Sequence, residues 1–247
     1  MDMIMTATIA FVLAGFIKGV LGFGFPIIAL VVLTLTIGLL DALAIIIVPT
    51  LITNIWQALS GSHLRAILKR MWLYFLLAMA GILFSSQYLT LVNVNWLTSL
   101  LGAVLFFFAL SRLLDLHISV PREMERVLSV VLGSFNGALT GLTGSFMVPS
   151  VLYMQALGFE KDMLVQAMGV FFALSTFMLM ISLGRNNLIA GREAMMSAVA
   201  LIPSFAGIYI GRWTRQQIDE ERFQKIFLVA ILLLGAYLAW RSGGLLF

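Results

Sequence analysis

The chain contains no cysteine, which excludes disulfides, iron–sulfur clusters and thiolate metal sites. Charge is scarce as well: only 11% of the 247 residues are Asp, Glu, Lys or Arg, where a soluble domain carries roughly a quarter. No hydrophilic stretch is long enough for a separate soluble domain, so residues 1–247 read as one domain. With two histidines, no HExxH and no carboxylate cluster inside an apolar run, little supports an intramembrane enzyme, and no catalytic residue is assigned. A nucleotide-binding loop, a cofactor motif and metal-ligand spacing are all missing, so neither cofactor nor metal is expected. The first apolar run has no basic region before it, and a cleaved signal peptide is not expected.

What is present is apolar. Hydrophobic residues make up 62% of the chain and the mean hydropathy is +1.07, which predicts an all-α polytopic membrane protein embedded in a lipid bilayer. Apolar runs bounded by charges or Gly/Pro fall at 3–20, 25–40, 42–60, 71–89, 96–114, 126–140, 145–157, 163–184, 194–211 and 224–241. The second, sixth and seventh are short for a full span of about 20 residues, and each borders a glycine-rich break. The net charge of +4 does not point to nucleic acid, because the cations sit in short loops. Eleven of the 15, among them Arg65, Arg70, Arg112, Lys161, Arg212 and Arg215, fall on one side if the segments alternate. The positive-inside rule makes that side cytoplasmic and leaves both termini outside; Arg185, Arg192 and Arg241 fall opposite.

The chain also resembles itself. "GFIKGVLGFGFP" from Gly15 parallels "GSFNGALTGLTGSF" from Gly133, and the stretch from Gly38 parallels that from Gly158. Two five-segment halves (about 1–116 and 125–247) follow. Their odd number predicts an inverted repeat in which each half starts with a glycine-broken helical hairpin. The two hairpins enter from opposite faces, and their tips are expected to meet near the membrane midplane.

Broken backbone inside hydrocarbon survives only against protein or a wet cavity. A half-helix starting at each tip, near Gly24 and near Gly144, offers unpaired N–H groups and a positive dipole to an anion. Lys18 adds a full charge, and Asn136 stands at its equivalent position. The candidate binding residues are therefore Lys18, Gly22, Gly24 and Phe25 at the first tip. Asn54 on the third segment joins them, with Asn136, Gly141, Thr143, Gly144 and Ser145 at the second tip. The competing reading is that the glycines only pack helices together. Gln57 and Gln166 are weaker candidates, Asp41 and Asp162 read as helix caps, and His63 and His117 read as solvated loop residues.

"GFIKGVLGFGFP", "DALAIIIVPTLITNIWQAL" and "GALTGLTGSFMVPSVLYMQALG" resemble the TauE/SafE family, also called TSUP, over nearly the whole chain. That resemblance implies a bacterial inner-membrane transporter exporting sulfite or small organosulfonates, its partner a small anionic substrate. The first tip reads GFGFP where many relatives carry consecutive glycines, so the cargo need not be sulfite itself. Membrane carriers are often dimers, and a homodimer is carried as an expectation. An anion channel and a non-transporting scaffold subunit stay open as alternatives.

Overall fold

A computed structural model describes residues 3–114, 119–147, 149–189 and 191–244. His117 lies outside them. The described residues form eleven α-helices and two single 3-10 turns, with no strand among them. The helices are α1 (Met3–Leu21), α2 (Phe25–Ile37), α3 (Leu39–Leu59), α4 (Leu64–Ser85), α5 (Val94–Leu113) and α6 (Glu125–Thr143). They continue with α7 (Ser150–Ala156), α8 (Lys161–Arg185), α9 (Gly191–Val199), α10 (Leu201–Arg215) and α11 (Glu220–Gly243). Six stretches are long and apolar enough to cross a membrane, namely α3, α4, α5, α8, the α9–α10 pair and α11. The protein is a multi-pass membrane protein.

Local chemistry sets the helix ends. Asn93 caps α5 by accepting from the Asn95 N–H at 2.9 Å, and Asp219 caps α11 by accepting from Glu221 and Arg222. Gly24 and Gly144, at φ 96° and 71°, take the left-handed conformation that turns the chain at the two breaks. The ninth expected segment is two helices, because Pro203 cannot continue α9: its ring clashes with the carbonyl four residues back, at Val199. Asp41 and Asp162 sit in the first turns of α3 and α8, where the helix dipole favours a carboxylate. The capping positions themselves are Gly38 and Glu160.

Small residues decide the packing. On α1, a Cβ at Gly15 or Gly19 would strike the α10 backbone around Ser204, Gly207 and Gly211. On α6, Gly133, Gly137 and Gly141 meet α4 at Tyr74, Ala78 and Ile82 in the same way. Gly102 and Gly235 bring α5 onto α11, and Gly169 brings α8 onto α3. The most extensive helix pairs are therefore α1 with α10, α4 with α6, α5 with α11 and α3 with α8. Most of these glycines are helix contacts, as the competing reading held.

Several basic residues collect at one end, whereas Arg185 ends α8 far from Lys161 at its start. Arg70 pairs with Glu125 at 2.6 Å and donates to the Leu157 carbonyl, Arg112 donates to Gln155 at 2.5 Å, and Lys161, Arg212 and Arg215 surround one cavity.

Candidate functional site at the first hairpin

Lys18 lies in the last turn of α1. The neighbouring Gly19 presses α1 against α10, and the lysine reaches across to α3. Its ammonium donates to Asn54 Oδ1 at 2.5 Å and to Thr53 Oγ1 at 3.3 Å. Thr53 spends its own proton on the Pro49 carbonyl at 2.8 Å, so it can only accept from the lysine. Lys18 is 8% exposed, and Thr53 and Asn54 are fully buried. An ammonium so placed among apolar helices is expensive, which makes Lys18 a candidate functional position.

Hydrogen-bonding capacity is left over beside it. Asn54 Nδ2 has no partner, and neither does the hydroxyl of Thr50, one helical turn earlier. A buried donor left unpaired costs about 1–3 kcal/mol, so the pair stands ready for an acceptor.

Above the lysine opens a cavity of about 780 Å³. Lys18, Gly22 and Thr53 line its inner part; the Ser60–His63 loop, the start of α8 and the end of α10 form its mouth at the basic end. Lys161, Arg212, Arg215 and His63 all line it, against a single acid, Asp162. The guanidinium of Arg212 stacks over the Trp56 ring, 4.2 Å from its centroid.

The structure unites only part of the expected site. Lys18, Gly22 and Asn54 come together. Gly24 packs against Ile17 and Phe227 instead, and Phe25 is fully buried with its ring 6.2 Å from that of Phe11. Gln57 donates to the Val165 carbonyl at 2.8 Å. Gln166 holds the end of α3, donating to the carbonyls of Ala58 and Gly61 and accepting from the His63 N–H. Both glutamines tie α3 to α8, although they reach the cavity wall.

The second hairpin is different. Asn136 donates to the Tyr74 hydroxyl at 2.9 Å and accepts from Thr140 at 2.9 Å, and Thr140 also donates to the Ser145 carbonyl. Thr143 donates to the Leu139 carbonyl and accepts from the Ser145 N–H at 3.2 Å. Gly141 faces Ile82 and Ser85 of α4, and Gly144 faces Leu30 and Leu43. Ser145 is 2% exposed with its hydroxyl unpartnered. None of these residues lines the 780 Å³ cavity.

Two expectations about the tips are corrected. No half-helix begins near Gly144: α6 ends there, and α7 starts only at Ser150, after Pro149, and lasts seven residues. Nor do the tips meet. Gly22 and Gly24 at the first tip meet Val165, Ile17 and Phe227, whereas Gly144 at the second meets Leu43 and Leu30. Lys18, four residues before Gly22, reaches α3 at Thr53, ten residues and about 15 Å along the helix from Leu43.

Sequence reasoning passed over Thr53 and Thr50, although both stand in the same "PTLITN" as Asn54, at positions that share its face. Arg212 counted only toward topology. Trp56, its partner, carried no signal.

A buried lysine beside a cavity lined by Lys161, Arg212 and Arg215, within a bundle that has six spans long and apolar enough to cross a membrane, is the setting of a multi-pass membrane protein. The model of the family described as "Sulfite exporter TauE/SafE" matches residues 7–238, and the chain belongs to that family. No match was found among curated proteins or among solved structures.

Proposed function

We propose that the protein is a secondary transporter that exports a small sulfur-containing oxyanion, sulfite or an organosulfonate, across the bacterial inner membrane. The observation that carries this reading is the Lys18–Thr53–Asn54 cluster at the foot of the basic cavity. Sulfite and sulfonates are compact and accept several hydrogen bonds. Lys18 supplies charge at the cavity wall. Behind it Asn54 Nδ2 and Thr50 Oγ1, fully buried and outside the cavity lining, hold donors without acceptors that a bound anion reaches once the cluster opens. By the positive-inside rule the cavity faces the cytoplasm, where export would load its cargo, and both termini lie outside.

A cavity open at one end supports a carrier over a channel, which needs a continuous pore. The chain has no nucleotide-binding loop, so ion gradients drive the transport or the protein is a uniporter. The inverted repeat belongs to this proposal, and the helix pairing supports it. Exchanging α1 with α6 and α4 with α10 turns the α1–α10 contact into the α6–α4 contact, while α5–α11 and α3–α8 map onto themselves. All four glycine-packed pairs cross from one half to the other. Rocking whole halves would tear them apart, so alternating access moves packed pairs such as α1 with α10 and α4 with α6 as rigid bodies. Assembly as a homodimer is part of the same proposal.

The test is a binding screen on purified protein by thermal shift with sulfite, thiosulfate, sulfate, sulfoacetate, taurine and phosphate. One sulfur oxyanion at 100 times its Kd should stabilise the fold by about 2.7 kcal/mol. Lys18→Ala should weaken that ligand by about 30-fold or more, through loss of a buried charge-assisted bond. A well-folded protein stabilised by none of the six anions would sink the proposal in favour of a scaffold.

A further inference from the structure

We infer that Arg212 is a specificity residue, the second cation of the site, which makes it prefer doubly charged oxyanions to singly charged ones. The inference rests on the transporter reading and adds to it the charge class of the cargo. Three placements carry it. The close approach of Gly19 and Gly211 sets the Arg212 backbone against α1, beside Lys18: a Cβ on Gly19 would come within 2.9 Å of the Arg212 nitrogen. Both side chains line one cavity. The Arg212 guanidinium carbon lies over the Trp56 ring, 4.2 Å from its centroid, a cation–π contact that holds the charge at the cavity wall.

Among the described residues Arg212 has no carboxylate partner, so its charge is not already answered. Lys161 and Arg215, on the same wall, are engaged by other groups. The physics then separates two kinds of anion. A sulfonate carries one charge, which Lys18 balances alone. A dianion bound at Lys18 would keep one charge uncompensated in a low-dielectric site, and that is costly unless a second cation stands close. Arg212 is that cation, and the planar fork of its guanidinium suits two oxygens of one oxyanion.

Calorimetric titration at fixed ionic strength tests this with two anions whose charge does not change near neutral pH: thiosulfate as the dianion and methanesulfonate as the monoanion. Arg212→Gln should weaken thiosulfate by about tenfold or more and methanesulfonate by less than about threefold. Arg212→Lys should restore most of the thiosulfate affinity, because it keeps the charge. Lys18→Ala should lose both ligands. Equal weakening of both anions by Arg212→Gln, or no weakening of either, overturns the inference and leaves the transporter reading standing. If neither anion binds the unmodified protein, the inference falls, and the six-anion screen decides the transporter reading separately.

Discussion

The two hairpins begin from the same plan and end as opposites. Lys18 and Asn136 occupy matching places three residues after the first glycine of "GFIKG" and "GSFNG", and both are buried. Around Lys18 the bundle opens into a cationic cavity; around Asn136 it closes into a chain of hydrogen bonds through Tyr74, Thr140 and Ser145. The cause lies in the side chains. A carboxamide both donates and accepts, so Tyr74 and Thr140 can answer Asn136 with neutral hydrogen bonds and no charge to balance. An ammonium only donates and carries charge, so its neighbours must be acceptors and a counter-anion must be able to reach it. In the proposed reading the first hairpin is completed by an anion, whereas the second closes most of its hydrogen bonds within the protein and leaves only the Ser145 hydroxyl unpaired at its tip.

The largest test of this comparison concerns what the hairpins share. Gly19 and Gly137 occupy matching places and both touch a partner backbone. A leucine at either should force the helices apart at about 3 kcal/mol or more, and the protein should lose its single symmetric peak in size-exclusion chromatography. A tolerant Gly19 beside an intolerant Gly137 would mean that only the second hairpin is clamped. Next comes Asn136→Ala, which strips Tyr74 of a donor and Thr140 of an acceptor. It should cost about 1–3 kcal/mol of stability, seen as a lower Tm, with anion affinity changed by less than about twofold. Lost anion binding at an unchanged Tm would return Asn136 to the binding site. The smallest effect is expected at Ser145, whose hydroxyl is buried without a partner. Ser145→Ala should leave the Tm equal or slightly higher, by at most about 1 kcal/mol of stability, and leave binding alone. A clear drop in anion affinity would show that the second tip meets the ligand after all.

Much of the fold was legible because membrane spans are written in hydropathy. The expected spans 42–60 and 96–114 differ from Leu39–Leu59 and Val94–Leu113 by one to three residues at each end. The seventh was not legible at its start: Phe146 and Met147 look like helix interior, whereas α7 begins only at Ser150, after Pro149. At the site, Lys18 and Asn54 could be picked out as polar groups in apolar runs, each costly enough to need a reason. That they touch was hidden, since the contact joins positions 36 apart in sequence. The internal hydrogen bonds of the second tip were not legible, because Thr and Ser near glycines read alike whether they bind a ligand or their own backbone.

The pairing of α1 with α10 bears on how the chain is made. The glycine face of α1 has no partner until the segment around Ser204 has been synthesised, 189 residues after Gly15. At about 5–20 residues per second that is about 10–40 s, during which α1 rests in lipid or against some other helix with its groove uncovered. The first hairpin, which carries the lysine, is thus among the first pieces inserted and among the last to be locked. A ribosome stalled between α9 and α10 would leave Lys18 in the membrane without the helix that walls its cavity.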